Sequence, residues 1–183
     1  MSDNGGSVQP LWSPTQSSID TSPMSVFAAK AETISGTTFN NYVSLHRWSV
    51  DEMSDFWSLV WDDSQIIGCK GERILINAQQ MQEAQFFPDA VLNFAENLLR
   101  KTGSDPAIIF RREDGLRETV SWDQLHEKVS CWQQAMQAYG VVKGDCIAAM
   151  LPNSPDTVIA MLAATSLGAI WSSCSPDFGD KAV

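Results

Sequence analysis

The sequence predicts an α/β protein, with a helical amino-terminal lead-in followed by the start of a layered α/β domain built on a parallel sheet. Two observations carry this prediction. Apolar residues recur at helical spacing at Val50, Met53, Phe56, Trp57 and Val60, and again at Trp122, Leu125, Val129, Trp132, Met136 and Tyr139. From Cys146 the pattern becomes an apolar run, an alanine-rich helical stretch and a second apolar run, the order of a strand–helix–strand crossover between parallel strands.

Taken in order, residues 1–39 are rich in Ser, Thr, Gly and Pro and read as a flexible or loosely packed lead-in. Within them, Pro10-Leu11-Trp12-Ser13-Pro14 is an apolar pair bracketed by prolines, an extended piece suited to laying Leu11 and Trp12 against a larger body. Residues 40–105 form a mainly helical region. Ser49 with Glu52 is a capping-box pattern that starts a helix running to about Trp61, its aromatic face read as core. Asp89 is placed to cap a second helix carrying Leu92, Ala95, Leu98 and Leu99, with Phe86-Phe87-Pro88 tucked beneath it and Gly103 beyond its end.

Residues 106–183 read as the first part of an α/β domain, the seam falling near Gly103 to Pro106. Ala107 to Arg111 and Arg117 to Val120 are strand-like runs joined by the turn Glu113-Asp114-Gly115. Ser121 with Gln124 is a capping box for an amphipathic helix closed by Gly140. Cys146 to Leu151 is uninterruptedly apolar, as for a strand covered on both faces. Pro155 opens the crossover helix, with Asn153 or Ser154 as its cap, and Ala169 to Cys174 is the returning strand. Trp171, a bulky indole in that strand, reads as core.

Composition narrows the function classes. Twelve basic and 22 acidic side chains give a net charge of −10, which opposes nucleic-acid binding by clustered cations. No stretch approaches the ~20 apolar residues of a membrane span, and Met1 to Thr21 lacks the succession of a secretion signal, so the chain reads as cytoplasmic. Cys69, Cys131, Cys146 and Cys174 lie too far apart for a metal motif, even with His46 and His126, and are expected to be buried free thiols. Both histidines read as structural.

The segments Pro10-Leu11-Trp12-Ser13-Pro14, Leu45-His46-Arg47-Trp48-Ser49-Val50 with Phe56-Trp57, Phe86-Phe87-Pro88-Asp89 with Leu92-Asn93-Phe94-Ala95-Glu96-Asn97-Leu98-Leu99, Ser121-Trp122 with Leu125, and Lys143-Gly144-Asp145 resemble the adenylate-forming acyl-CoA synthetase superfamily. The tract from Met161 to Gly179, ending Trp171-Ser172-Ser173-Cys174-Ser175-Pro176-Asp177-Phe178-Gly179, resembles the acetoacetyl-CoA synthetases within it, where acetate-activating relatives carry a glycine-rich version. The resemblance implies an adenylating α/β domain. It also implies ATP, Mg²⁺ and coenzyme A as ligands of the full-length enzymes, with acetoacetate and CoA as substrates. Carboxylate and triphosphate are both anionic, so adenylation needs a metal ion, a backbone N–H cradle and a cationic side chain.

The family supplies these with a Ser/Thr/Gly-rich loop ending in Gly-x-Pro-Lys and with a carboxy-terminal domain bearing a catalytic lysine. Neither occurs in this sequence. Ser35-Gly36-Thr37-Thr38 resembles the opening of such a loop but runs into Phe39 and Asn40. The reading is therefore an amino-terminal portion, inactive alone, with no catalytic or metal-ligating residue and no ligand expected to bind it strongly by itself. Its packing partner is the missing remainder of the synthetase. The segment implied to line a CoA or substrate channel is Ser173, Cys174, Ser175, Pro176, Asp177, Phe178 and Gly179, at the carboxyl end of the last strand, where ligands gather in open parallel sheets. The same residues also suit a plain turn, Ser173 and Ser175 capping backbone groups. A different class of function is a non-enzymatic interaction module that uses the edge of an incomplete sheet and an apolar helix face.

Overall fold

The computed structural model describes residues 10–179. In chain order the first elements are α1 (Gln16–Asp20), α2 (Pro23–Ser35), α3 (Tyr42–Asp51), α4 (Met53–Asp63), β1 (Gly68–Cys69), β2 (Leu75–Ile76), β3 (Gln85–Phe86) and β4 (Val91–Leu92). They are followed by α5 (Phe94–Leu98), β5 (Pro106–Arg111), β6 (Arg117–Ser121), α6 (Trp122–Ala138), β7 (Cys146–Met150), α7 (Pro155–Ser166) and β8 (Ile170–Cys174). The chain divides into two compact units. Residues up to Ile66 with Lys70–Asp89 form the first, and Ile67–Cys69 with everything from Ala90 the second. Residues 90–105 thus group with the sheet-bearing part.

In the first unit the expected loop at residues 16–35 is instead two helices. Ser22 accepts a hydrogen bond from the Ser25 amide, Pro23 occupies the first helical turn, and Gly36 ends α2 at φ 65° with its N–H on the Glu32 carbonyl. Ser-Pro at the start and glycine at the left-handed end outweigh the polar composition, because each satisfies or removes a terminal backbone group. Leu11 and Trp12 are exposed and anchor nothing among the described residues.

The helix expected from Ser49 starts elsewhere. Asn41 and Ser44 form the capping box of α3, and Ser49, inside that helix, donates its hydroxyl to the His46 carbonyl. The backbone breaks at Glu52 (φ −114°, ψ 52°), and α4 resumes at Met53. The break lets α3 and α4 enclose a core of Ala31, Leu45, Trp48 and Leu59, with Phe27, Phe39 and Phe56 packed against it. Trp48 is only 7% exposed, and its Nε1–H has no hydrogen-bond acceptor among the described residues. Its neighbours are the Phe39 ring at 5.6 Å and the Phe56 ring at 6.0 Å, edge to face.

Phe86 and Phe87 lie against α4, their rings 5.3 Å from Trp57 and 4.9 Å from Trp61, and not under a helix that comes after them. Asp89 caps nothing. It accepts from the Arg73 backbone amide (3.3 Å) and Nε (2.8 Å), and pairs with the second guanidinium nitrogen, closing residues 73–89 into a loop around the β2–β3 ladder. A Cβ on Gly71 would lie 2.5 Å from Asp89 Cβ, and its φ of 77° is unsuited to other residues.

In the second unit β1 pairs antiparallel with β4, and Asn97 grips Ile67 through both its amide and its carbonyl at 2.9 Å. Asn93, not Asp89, caps α5, and its side-chain N–H₂ donates to the Thr165 and Ser166 carbonyls at the end of α7. β5 and β6 form the expected hairpin, turned by Asp114-Gly115. Ser121 and Gln124 make the expected capping box of α6. β7 and β8 are parallel, joined through α7. The core gathers Ala95, Val120, Leu125, Val129, Ile159, Leu162 and Ala163 from α5, β6, α6 and α7.

β7 is not covered on both faces: Cys146, Ala148 and Met150 are exposed, and only Ile147 and Ala149 are half-buried. Nor are the thiols buried. Cys69, Cys131 and Cys146 are exposed and Cys174 half-buried, all four free. These cysteines fall on strand or helix faces without a neighbouring layer, so residue type did not determine their burial.

Ile159→Ala removes a fully buried side chain from the junction of α5, α6 and α7. It is expected to destabilise the second unit by about 2–5 kcal/mol, read from the shift in denaturant midpoint. In the first unit the Arg73 guanidinium, chiefly by its hydrogen bond, holds the Asp89 carboxyl below its ordinary value. That contribution is complete above the unfolded value of about 3.9 and is lost as pH falls through the lower folded value. Asp89→Asn should therefore flatten the acid limb of stability, measured by thermal unfolding across that range.

Candidate functional site

The predicted segment begins where the sheet ends. α7 carries the chain back through Gly168, at φ 74°, and the Ile170 amide donates to the Asp145 carbonyl at 2.7 Å, setting β8 beside β7. In-register pairing runs from Cys146 with Ile170 to Met150 with Cys174, and the Leu151 amide adds a bond to the Cys174 carbonyl at 3.2 Å. The segment therefore leaves from the carboxyl ends of two aligned strands.

Ser175 organises the turn beyond β8. Its hydroxyl oxygen accepts from the Asp177 amide at 3.2 Å and donates to the Asp177 carboxylate at 3.1 Å, while its carbonyl accepts from the Phe178 amide at 3.1 Å. Residues 175–178 thus form a β-turn with Pro176 in the second position, where its fixed φ is favoured. The structure joins Ser175 to Asp177. It does not bring the other predicted residues to the same point. Ser173 accepts from Trp171 Nε1 at 3.2 Å, and Cys174 directs its thiol at the Ala149 carbonyl at 3.9 Å. Pro176, Phe178 and Gly179 are exposed.

The chemical capacity of this strand exit is that of a rim. It presents two hydroxyls, of Ser173 and Ser175, and one carboxylate able to receive N–H or O–H groups, and among the described residues no lysine or arginine is paired with Asp177. No group of three or more His, Cys, Asp or Glu suited to a metal occurs among the described residues. Ser35-Gly36-Thr37 is the carboxyl end of α2, with Ser35 Oγ accepting from the Thr37 amide at 3.1 Å, and is not a phosphate loop.

Two openings carry no signal that the sequence pattern reveals. One, of about 700 Å³, lies in the second unit between the β5–β6 hairpin and the start of α7, bordered by Arg111, Glu118, Asn153, Ser154 and Asp156. The other, of about 380 Å³, lies in the first unit and is mostly apolar, bordered by Met24, Phe27, Tyr42, Leu45, His46 and Phe56. The His46 ring lies 5.9 Å from that of Tyr42, one helical turn away, and that spacing alone is visible in the sequence. His126 Nε2 instead bonds the Lys101 carbonyl at 2.8 Å.

Residues 94–183 match the family of AMP-binding enzymes, which defines the class. The acetoacetyl-coenzyme A synthetase of Rhizobium meliloti is 49% identical over 96% of this chain and 27% of its own length, and that of Rattus norvegicus 38% identical over 96% and 26%. The solved acetoacetyl-CoA synthetase from Streptomyces lividans superposes with a TM-score of 0.82 at 36% identity, over 94% of this chain and 27% of that one. The chain belongs to the acetoacetyl-CoA synthetase family. It spans about a quarter of the length of the curated relatives it matches.

Ser175→Ala removes the acceptor of the Asp177 amide, whereas Asp177→Asn keeps it. The first is expected to raise hydrogen exchange at the Asp177 amide about fivefold, the effect of one lost bond of ~1 kcal/mol, and the second to leave it nearly unchanged.

Proposed function

We propose that this chain is the amino-terminal scaffold of an ATP-dependent acetoacetate–CoA ligase, the kind of enzyme that joins acetoacetate to CoA with conversion of ATP to AMP and diphosphate. One observation carries the reading. The likeness to acetoacetyl-CoA synthetases extends over both compact units, including the helical first unit that lies outside the matched AMP-binding region. The acyl group is a short acid with a carbonyl at the β position. A malonamoyl-CoA synthetase of Penicillium aethiopicum, 34% identical over 97% of this chain, carries such a carbonyl in its acyl group too.

In this reading ATP, Mg²⁺ and CoA are ligands of the whole enzyme, and the Ser173–Gly179 exit borders the CoA or substrate channel. Ser175 holds the turn and Asp177 offers an acceptor to a polar group of the passing ligand. Adenylation requires neutralising two anions, and the cationic groups for it come from residues outside this chain. The setting is cytoplasmic. Among the described residues no helix is long and apolar enough to cross a membrane.

Pyrophosphate exchange into ATP tests the proposal. The chain alone is expected to give none with acetoacetate. A fusion to the remaining three quarters of the Rhizobium meliloti synthetase is expected to show acetoacetate-dependent exchange. Exchange driven by acetate and not by acetoacetate would remove the substrate assignment, and exchange by the chain alone would remove the scaffold role.

A further inference from the structure

Asn93 joins two helices that lie far apart in the sequence. Its Oδ1 accepts from the Glu96 amide at 3.0 Å as the cap of α5, and its Nδ2 donates to the Thr165 carbonyl at 3.1 Å and the Ser166 carbonyl at 3.2 Å. The side chain is half-buried, and both ends of its amide are in use. α5 is itself tied down: Asn97 donates to the Asn93 carbonyl and exchanges two bonds with the Ile67 backbone, each at 2.9 Å. Asn93 therefore holds the end of α7 from a fixed base.

Only Leu167, Gly168 and Ala169 separate α7 from β8. Across that turn the Ala169 amide donates to the Ala164 carbonyl, the Gly144 amide to Gly168 and the Ile170 amide to Asp145, at 3.1, 3.0 and 2.7 Å. A displacement of the α7 end passes into β8 with little slack. Among the described residues the hydrogen bonds of residues 175–178 close within their own turn, so the place of that turn is inherited from β8. Asn93 stands at one end of this stiff path and the strand exit at the other, a five-residue strand away.

We propose that Asn93 is a positioning residue for the thioester-forming step, acting through the end of α7 and through β8 on the place of the strand exit. The inference rests on the reading that this exit borders the channel taken by CoA. A misplacement of about 1 Å caused by a residue remote from the chemistry costs up to roughly 100-fold in rate when it reaches the reacting groups. Here it reaches a channel wall, so the expected loss is smaller and falls on CoA alone. Adenylation precedes the entry of CoA and draws its cationic groups from outside this chain, so it is left nearly unchanged.

The test uses the fusion to the remaining three quarters of the Rhizobium meliloti synthetase. Asn93→Asp keeps the acceptor that caps α5 and replaces the amino group by an oxygen facing two carbonyls. It is expected to lower kcat/KM for CoA about tenfold, with acetoacetate-dependent pyrophosphate exchange within about twofold of the parent. Ser121→Ala, which removes the cap of α6, is the structural control and should lower the unfolding temperature without changing the use of CoA. Thermal unfolding checks each variant, and if Asn93→Asp does not fold, Asn93→Ser, an uncharged cap without the amino group, decides. Equal losses in exchange and in CoA use, or a matching CoA defect in Ser121→Ala, would overturn the positioning role. Asp177→Ala separates this inference from the reading beneath it. If Asp177→Ala impairs CoA use and Asn93→Asp does not, the positioning role falls and the channel reading stands. If Asp177→Ala leaves CoA use intact, the channel reading falls, and the proposed route from Asn93 falls with it.

Discussion

Helix α7 is the part on which the second unit depends, and it works by being thin. Ile159 and Leu162 supply bulk to the core, while Ala160, Ala163 and Ala164 are buried with almost no side chain, so α5, α6 and β8 can approach its backbone. Its carboxyl end is held from outside by Asn93, which donates to Thr165 and Ser166. Those bonds use carbonyls that a helix end leaves unpaired. The turn through Gly168, where an added Cβ would sit 3.0 Å from Lys143 Cγ, then delivers β8 into register. The position of the strand exit is a consequence of this close packing.

The first unit solves a different problem. Its core is aromatic and small in number, and a buried Trp48 Nε1–H without an acceptor stands beside the edge-on Phe56 ring. The two rings meet nearly perpendicular, 6.0 Å apart, an arrangement that aromatic pairs favour. The loop from Arg73 to Asp89 is closed by a charge pair at its base instead of by a core of its own. A two-residue ladder and two rings on α4 complete it.

Among the described residues of the candidate strand exit the one charge is the Asp177 carboxylate, already receiving the Ser175 hydroxyl. Such a segment orients and borders; it does not by itself gather anionic phosphates, which require cations and a cradle of N–H groups. That division agrees with a chain covering about a quarter of its relatives' length.

Much of the second unit was legible in the sequence. Ser121 with Gln124, the Asp114-Gly115 turn and Pro155 each specify local structure through nearby backbone groups and form as the pattern predicts, and the apolar run of β7 forms the expected strand, though not one covered on both faces. Family membership was legible too, because the tract ending at Gly179 carries its own spacing of unusual residues. Cap choice was less so. Ser49 with Glu52 and Asp89 look like helix starts, but α3 and α5 start at the caps Asn41 and Asn93, and Asp89 is taken by Arg73 on the far side of the β2–β3 loop. In residues 16–35 the cap, proline and glycine were present in the sequence, and composition concealed them. Local patterning therefore determined which elements form and to which family they belong. Tertiary packing alone decided which helix Phe86 and Phe87 touch and which face of β7 stays open, because each depends on what lies opposite in space.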